Sequence, residues 1–259
     1  MKKVFVIGGA GSIGSELATQ LSVNNEVIAI DQFETGIFEL KNITPEIGSI
    51  RDYFRLDELF DKYRPDEVYH AAAYKHVSRY EGNHYSEIIE TNINGTVNVI
   101  KLAKRYKVKK FVFISTDKAV NPKSLMGATK MVGEIVVKRN NYIVVRLVNV
   151  LGSGGSVLTI WEKQIARGEP ITVTDDKMER YFISVQDACK FVIKVAKLGK
   201  GGEIFIPETK PVKIIDLARK YSSNIKLIGA KVGEKIYEDL MTEEEKKVAI
   251  KKEGYWVIK

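Results

Sequence analysis

Lys3-Val4-Phe5-Val6-Ile7-Gly8-Gly9-Ala10-Gly11-Ser12-Ile13-Gly14 is the stretch that decides the fold. Residues 3–7 form a short apolar run rich in valine and isoleucine, the pattern of a strand buried on both faces. Glycines at 8, 11 and 14 follow at once and lead into the helical periodicity of Ile13 to Val23. A strand, a tight glycine turn and a helix in that order make an anion-binding junction. Glycine lets the backbone approach a pyrophosphate, whose charge meets free amides at the positive end of the helix. Gly8, Gly11, Ser12, Ile13 and Gly14 are therefore the expected contacts to a dinucleotide. A glycine trio alone also fits a turn used only for packing, and the surrounding order is what favours the site.

Asp31 ends the second apolar run, Val27-Ile28-Ala29-Ile30. A carboxylate there accepts ribose hydroxyls and repels a 2′-phosphate, so NAD is expected in preference to NADP. Further strand-like runs lie at Glu67 to His70, Lys110 to Ser115 and Tyr142 to Leu147. Helical periodicity fills Leu56 to Tyr63, Tyr85 to Tyr106 and Ser124 to Asn140, while Phe33 to Ser49 has room for a short helix and a stub of strand. Alternation of this kind predicts an α/β fold, a doubly wound Rossmann parallel sheet. After Leu147 the pattern loosens: a helix at Ser156 to Ala166, a hairpin around Pro170 to Thr174, a helix at Val185 to Leu198, a strand at Glu203 to Ile206, a helix at Lys213 to Tyr221 and a charged tail. The expected division is a dinucleotide-binding domain of residues 1–165 and 182–206, with a smaller C-terminal substrate-binding lobe of 166–181 and 207–259.

Composition closes other routes. The 259 residues are 44% hydrophobic and 29% charged, which excludes collagen, coiled-coil and disordered classes. No run approaches the roughly 18 apolar residues of a membrane helix, and Met1-Lys2-Lys3 enters a strand directly, so a cytoplasmic protein without a membrane segment is expected. Cys189 is the sole cysteine, which excludes an intrachain disulfide and a cysteine-based metal cage, and no metal is expected. The net charge of +8 favours anionic ligands without naming one. Lys107 to Lys110 lacks interleaved aromatics, so no nucleic-acid partner is expected.

The fourth long strand ends in Ser115-Thr116-Asp117-Lys118, at the carboxyl edge where open α/β sheets place ligands. Together with the glycine loop, this resembles an extended short-chain dehydrogenase/reductase of the nucleotide-sugar type. The motifs Ala71-Ala72-Ala73-Tyr74-Lys75-His76-Val77, Thr91 to Thr96, Ser115 to Pro122 with Met126 to Lys130, Asn149 to Ser153, Arg180-Tyr181-Phe182 and Gly233-Glu234-Lys235 are similar to those of the CapD-like polysaccharide biosynthesis family, the UDP-N-acetylglucosamine 4,6-dehydratases. The resemblance covers nearly the whole chain.

The resemblance implies an internal redox cycle on a UDP-hexosamine, in which NAD takes hydride from C4, water leaves across C5 and C6, and hydride returns to C6. Asp117 would protonate the departing hydroxyl, Lys118 would take the C5 proton and Thr116 would hold O4. Lys118 then needs desolvation or a neighbouring cation to be neutral near pH 7. Lys130 would hold the nicotinamide ribose. Met126 stands at the position where the wider superfamily has tyrosine, which moves the O4 proton to Thr116, Asp117 or water. Ile50 and Ala71, Ala72 and Ala73 would line the cofactor; Lys75, His76, Asn149, Arg180, Lys231 and Glu234 would line the UDP-sugar. A UDP-sugar 4-epimerase and a non-catalytic dinucleotide-binding regulator are the alternatives. The helices at 85–106 and 124–140 would pair across a two-fold axis, giving a homodimer or larger homo-oligomer.

Overall fold

The computed structural model describes residues 1–76, 84–230 and 232–259. Its strands are β1 (Lys2–Ile7), β2 (Asn25–Asp31), β3 (Thr44–Ile47), β4 (Glu67–His70), β5 (Lys110–Thr116), β6 (Ile143–Leu147), β7 (Asn149–Leu151), β8 (Ile171–Val173), β9 (Glu179–Ser184), β10 (Ile204–Pro207), β11 (Pro211–Lys213), β12 (Ile225–Leu227), β13 (Ile250–Lys252) and β14 (Tyr255–Ile258). The helices are α1 (Ser12–Ser22), α2 (Glu34–Phe38), α3 (Tyr53–Tyr63), α4 (Tyr85–Ile89), α5 (Thr96–Arg105), α6 (Leu125–Arg139), α7 (Val157–Ala166), α8 (Val185–Leu198), α9 (Ile214–Ala218) and α10 (Glu243–Val248).

Among the described residues the main sheet runs β13-β14-β10-β6-β5-β4-β1-β2-β3. From β3 to β6 this is the doubly wound order, all parallel, and the strand order reverses between β1 and β4, where such sheets open a ligand crevice. Both faces are apolar, which matches the near-continuous hydrophobic runs of the strands. Val4, Val6, Ala29, Val112 and Val145 pack with α1 and α8 on one side. Phe5, Ile7, Ile28, Phe111 and Phe113 pack with α3 and α5 on the other.

Three segments differ from the sequence-based expectation. The Pro170 to Thr174 run forms no hairpin, because β8 pairs in parallel with β12, far along the chain. The charged tail is not a loop: β14 pairs antiparallel with β10, and β13 with β14. Residues 250–258, expected in the lobe, thus extend the main sheet. The helix at 85–106 is interrupted by a π-helical turn, Glu90–Gly95, between α4 and α5. Its Asn92 side chain donates to Tyr74 O (2.9 Å) and accepts from Tyr74 N–H (2.8 Å), which ties the chain after β4 to the helix layer.

The smaller lobe has its own core around Trp161, Ile171, Val173, Met178 and Ile214. Beside it β9 pairs with β7 and β11 in a separate three-stranded sheet. No helix among the described residues is long and apolar enough to cross a membrane.

Candidate functional site

The glycine loop is held by the strand beside it: the N–H groups of Gly8 and Gly9 both donate to Ile30 O, at 2.8 and 3.1 Å. Gly8 has φ +88° and packs so closely on the chain leaving β4 that a Cβ would lie 2.5 Å from Ala72 N. At Gly14 a Cβ would come within 1.9 Å of Gly8 O, so α1 can start only there if no side chain intervenes. Gly11 differs, since its Cβ would meet only Gly8 O, at 3.3 Å, leaving an open cradle. Gly11 caps α1 with no side-chain hydrogen bond. The first N–H groups of the helix, at Ser12, Ile13 and Gly14, therefore lack intrahelical acceptors. Asp31 completes the loop, accepting from Ala10 N–H at 2.9 Å and Phe33 N–H at 3.0 Å. This donor set and cradle fit a dinucleotide.

A cavity of about 150 Å³ lined by Asp31, Ile50, Ala71, Ala72 and Ala73 shares Gly8 and Gly11 with a second of about 610 Å³ that reaches Thr116, Lys118, Met126 and Lys130. Lys75, His76, Lys118 and Asn149 are common to that cavity and a third of about 380 Å³, which runs into the lobe past Arg180, Glu234, Lys235 and Glu238. One groove thus joins the glycine loop, the head of β5 and the lobe. Lys231 lies outside the described residues.

At the head of β5 the chain enters a short turn, Asp117–Ala119. The Asp117 side chain is fully buried. Its Oδ1 accepts from the Thr116 hydroxyl (2.9 Å) and from Lys118 Nζ (3.0 Å). Lys118 Nζ also donates to Asn149 Oδ1 at 3.1 Å and lies 3.4 Å from Glu238 Oε1. Burial pulls the Lys118 ammonium down, but the Asp117 and Glu238 carboxylates outweigh it and hold the group above its usual value. The desolvation that sequence reasoning required is present, and its effect is reversed by two anions.

Lys130 projects from α6, where its Nζ donates to Ile114 O at 2.7 Å and sits 4.3 Å from the Phe113 ring centroid. Burial pushes it down to about 8, with Glu134 opposing. One turn earlier Met126 is buried and lines the groove, with no group able to exchange a proton. Lys75 is lowered by burial, as expected for an amine inside a cleft. His70 is a core residue bonded to Thr96 and held down to about 3 by burial and by Lys130, so it stays neutral. Asn149 donates to Tyr181 O at 3.0 Å while accepting from Lys118; it is thus fixed against the Asp117–Ala119 turn as well as lining the groove.

Arg180 is placed at the groove, yet its guanidinium is largely committed. It donates to Glu179 O (2.7 Å), Ile236 O (2.9 Å) and Lys235 O (2.6 Å), clamping the segment that carries Glu238. Sequence reasoning missed Glu238. It is buried, and its Oε2 has no hydrogen-bond partner among the described residues. No periodicity or turn signal in Tyr237-Glu238-Asp239-Leu240 marks it, because tertiary folding alone brings it to β5.

Residues 4–259 match the family described as "Polysaccharide biosynthesis protein". The capsular polysaccharide biosynthesis protein CapD of Staphylococcus aureus is 38% identical over 94% of this chain and 46% of its own length; the chain thus spans less than half of that relative. An inverting UDP-N-acetylglucosamine 4,6-dehydratase of Campylobacter jejuni is 37% identical, covering 99% of this chain and 82% of that protein. The X-ray structure of Pen from Bacillus thuringiensis superimposes with a TM-score of 0.92 at 36% identity, covering 99% of this chain and 87% of that one.

Proposed function

This chain belongs to the polysaccharide biosynthesis protein family, and from that premise we propose that it dehydrates a UDP-hexosamine, UDP-N-acetylglucosamine foremost, to a UDP-4-keto-6-deoxy sugar. The observation that carries the reading is the Asp117–Lys118 pair, 3.0 Å apart, at the end of β5, with Asp117 buried behind Thr116 and Lys118, which line a groove continuous with the glycine loop. A similar pair of unlike acid and base is what a C5/C6 elimination needs, and a simple hydride exchange at C4 does not.

NAD would lie along Gly11 to Gly14 with its ribose on Asp31, and would supply the acceptor for the C4 hydride and its donor to C6. NADP is disfavoured in this reading, since its 2′-phosphate would meet the Asp31 carboxylate. As C4 is oxidised, Thr116 Oγ1 accepts the O4 proton and passes its own to Asp117 Oδ1, along the 2.9 Å bond they already share. Met126 has no part in this transfer. Lys118, once neutral, takes the C5 proton, which the adjacent ketone has acidified. Asp117 returns its proton to the departing C6 hydroxyl, so the C6–O bond breaks and water leaves. Lys118 then reprotonates C5 as the hydride arrives at C6. Two protons leave the sugar, from O4 and C5, and two are used, in water and at C5.

The same groove explains substrate placement in this reading. Lys75, His76 and Asn149 face the sugar side, and Lys235 and Glu234 the nucleotide side, while Arg180 acts chiefly by fixing the segment around Lys235. The chain is proposed to act as a homodimer or larger homo-oligomer through α4, α5 and α6, where Tyr85 and Ile135 are exposed. Mass spectrometry of UDP-N-acetylglucosamine incubated with the protein and NAD tests the function: a product lighter by one water supports it, and an isomer of unchanged mass would indicate 4-epimerisation.

A further inference from the structure

The proposed dehydration leaves one proton unassigned. Lys118 is an ammonium beside Asp117, and it must shed a proton before it can accept the one from C5. Asp117 cannot take that proton as well, because it receives the O4 proton through Thr116. Two protons therefore need holders at the same stage of the cycle, and the catalytic turn supplies a single carboxylate.

Glu238 is the second. Its Oε1 lies 3.4 Å from Lys118 Nζ, and its Oε2 is buried without a hydrogen-bond partner among the described residues. The segment that carries it is anchored on both sides. Arg180 donates to Ile236 O at 2.9 Å, Arg146 donates to Leu240 O at 2.9 Å, and the Met241 side chain is buried in the core under the sheet. A carboxylate held this firmly needs no excursion to meet Lys118.

We infer that Glu238 holds the proton of Lys118 while Lys118 serves as the base, and so acts through Lys118 as a positioning residue of the elimination. The transfer conserves charge: Lys118–NH3⁺ and Glu238–COO⁻ become Lys118–NH2 and Glu238–COOH, a neutral pair that burial favours over an ion pair. After C5 is reprotonated the proton returns from Glu238 to Lys118, and the resting state is restored with no net exchange with solvent. The other groups facing Glu238 are Lys235 Nζ, 3.7 Å from Oε2, and Arg180 Nε, 3.9 Å from Oε1. Both spend their shorter contacts on main-chain carbonyls, Lys235 on Val120 O at 2.5 Å. Lys118 is faced in addition by Asp117, by Asn149 and, unfavourably, by the Arg180 charge.

An internal holder makes the proton distribution independent of pH. Elimination by the wild-type protein is then flat between about pH 6.5 and 8.5, whereas Glu238→Gln must lose the Lys118 proton to solvent. In that variant elimination falls at least about tenfold at pH 7 and climbs about tenfold per pH unit, while oxidation at C4, read as reduced nicotinamide absorbance in a single turnover, persists. Glu238→Asp restores part of the flat profile. A Glu238→Gln protein with a flat profile at the wild-type rate, or with both half-reactions lowered equally at every pH, overturns the inference. Acylation of Lys118, quantified by mass spectrometry against pH, needs no turnover: its midpoint falls by about one pH unit in Glu238→Gln, and an unmoved midpoint overturns the pairing. Wild-type protein that leaves every UDP-hexosamine intact contradicts the dehydration itself, while the acylation result still judges the Lys118–Glu238 relationship separately.

Discussion

Lys118 Nζ lies 3.0 Å from Asp117 Oδ1, while Asp117 Oδ2 is buried with no hydrogen-bond partner among the described residues. Oδ1 thus carries both hydrogen bonds of the turn, including the Thr116 bond along which the proton is proposed to pass, and Oδ2 keeps its hydrogen-bonding capacity unused. Asp117→Asn keeps the shape and removes the exchangeable proton. Elimination should fall by about 100-fold or more, and C4 oxidation should slow as well because Thr116 loses the acceptor for the O4 proton, as measured by single-turnover kinetics.

Gly11 and Gly14 are separable by experiment. Alanine at 14 drives a Cβ into Gly8 O and should cost about 2 kcal/mol or more in urea unfolding, together with NAD binding. At 11 the added methyl faces the groove, so stability should change by under about 1 kcal/mol while NAD affinity drops. Equal losses of stability in the two variants would contradict the assignment of the cradle.

Arg146 is buried between two carboxylates, donating to Glu134 at 2.6 and 3.1 Å and to Glu245 at 2.9 Å twice. Glu134 also accepts from Ser115 at 2.5 Å, so the network braces the end of β5 against α6 and the C-terminal capping box at Thr242. Arg146→Met leaves both carboxylates buried without their cation. A loss of about 3 to 5 kcal/mol is expected from the urea midpoint, and a loss below 1 kcal/mol would mean the network is dispensable.

Lys130 gives a pH signature. Its value in the folded chain, about 8, lies below the ordinary 10.5, so the unfolded chain binds more protons between these limits. Stability contributed at this site is therefore lowest below about pH 8 and rises toward 10.5, by about 3 kcal/mol in full. Comparing urea midpoints of wild type and Lys130→Met from pH 7 to 10 cancels the other titrations; wild type should gain on the variant as pH rises, and parallel curves would show that Lys130 is not desolvated.

The legibility of this chain follows from how local each signal is. Gly8, Gly11 and Gly14 sit between a strand and a helix that are contiguous in sequence, so periodicity and spacing define the dinucleotide groove directly. The Thr116-Asp117-Lys118 turn was readable for the same reason, as it closes a strand. β8 and β12 were not, because a three-residue strand has no periodicity to read and its partner lies beyond β9, α8 and β10. Glu238 and the clamping role of Arg180 belong to the same class. Both depend on where the C-terminal segment lands, and Ile250 to Ile258 carries no sign that it returns to the main sheet beside β10. Lys118 shows the remaining limit: its need for desolvation was anticipated, yet its shift is upward because Asp117 is joined by Glu238, a residue distant in sequence.

The central claim is that Asp117 and Lys118 remove water across C5 and C6, and proton NMR of UDP-N-acetylglucosamine with the protein and NAD in deuterated water tests it most directly. The account predicts a new C6 methyl signal with deuterium entering at C5. A galacto isomer without a methyl signal, or an unaltered sugar spectrum from protein shown separately to bind NAD, would contradict it.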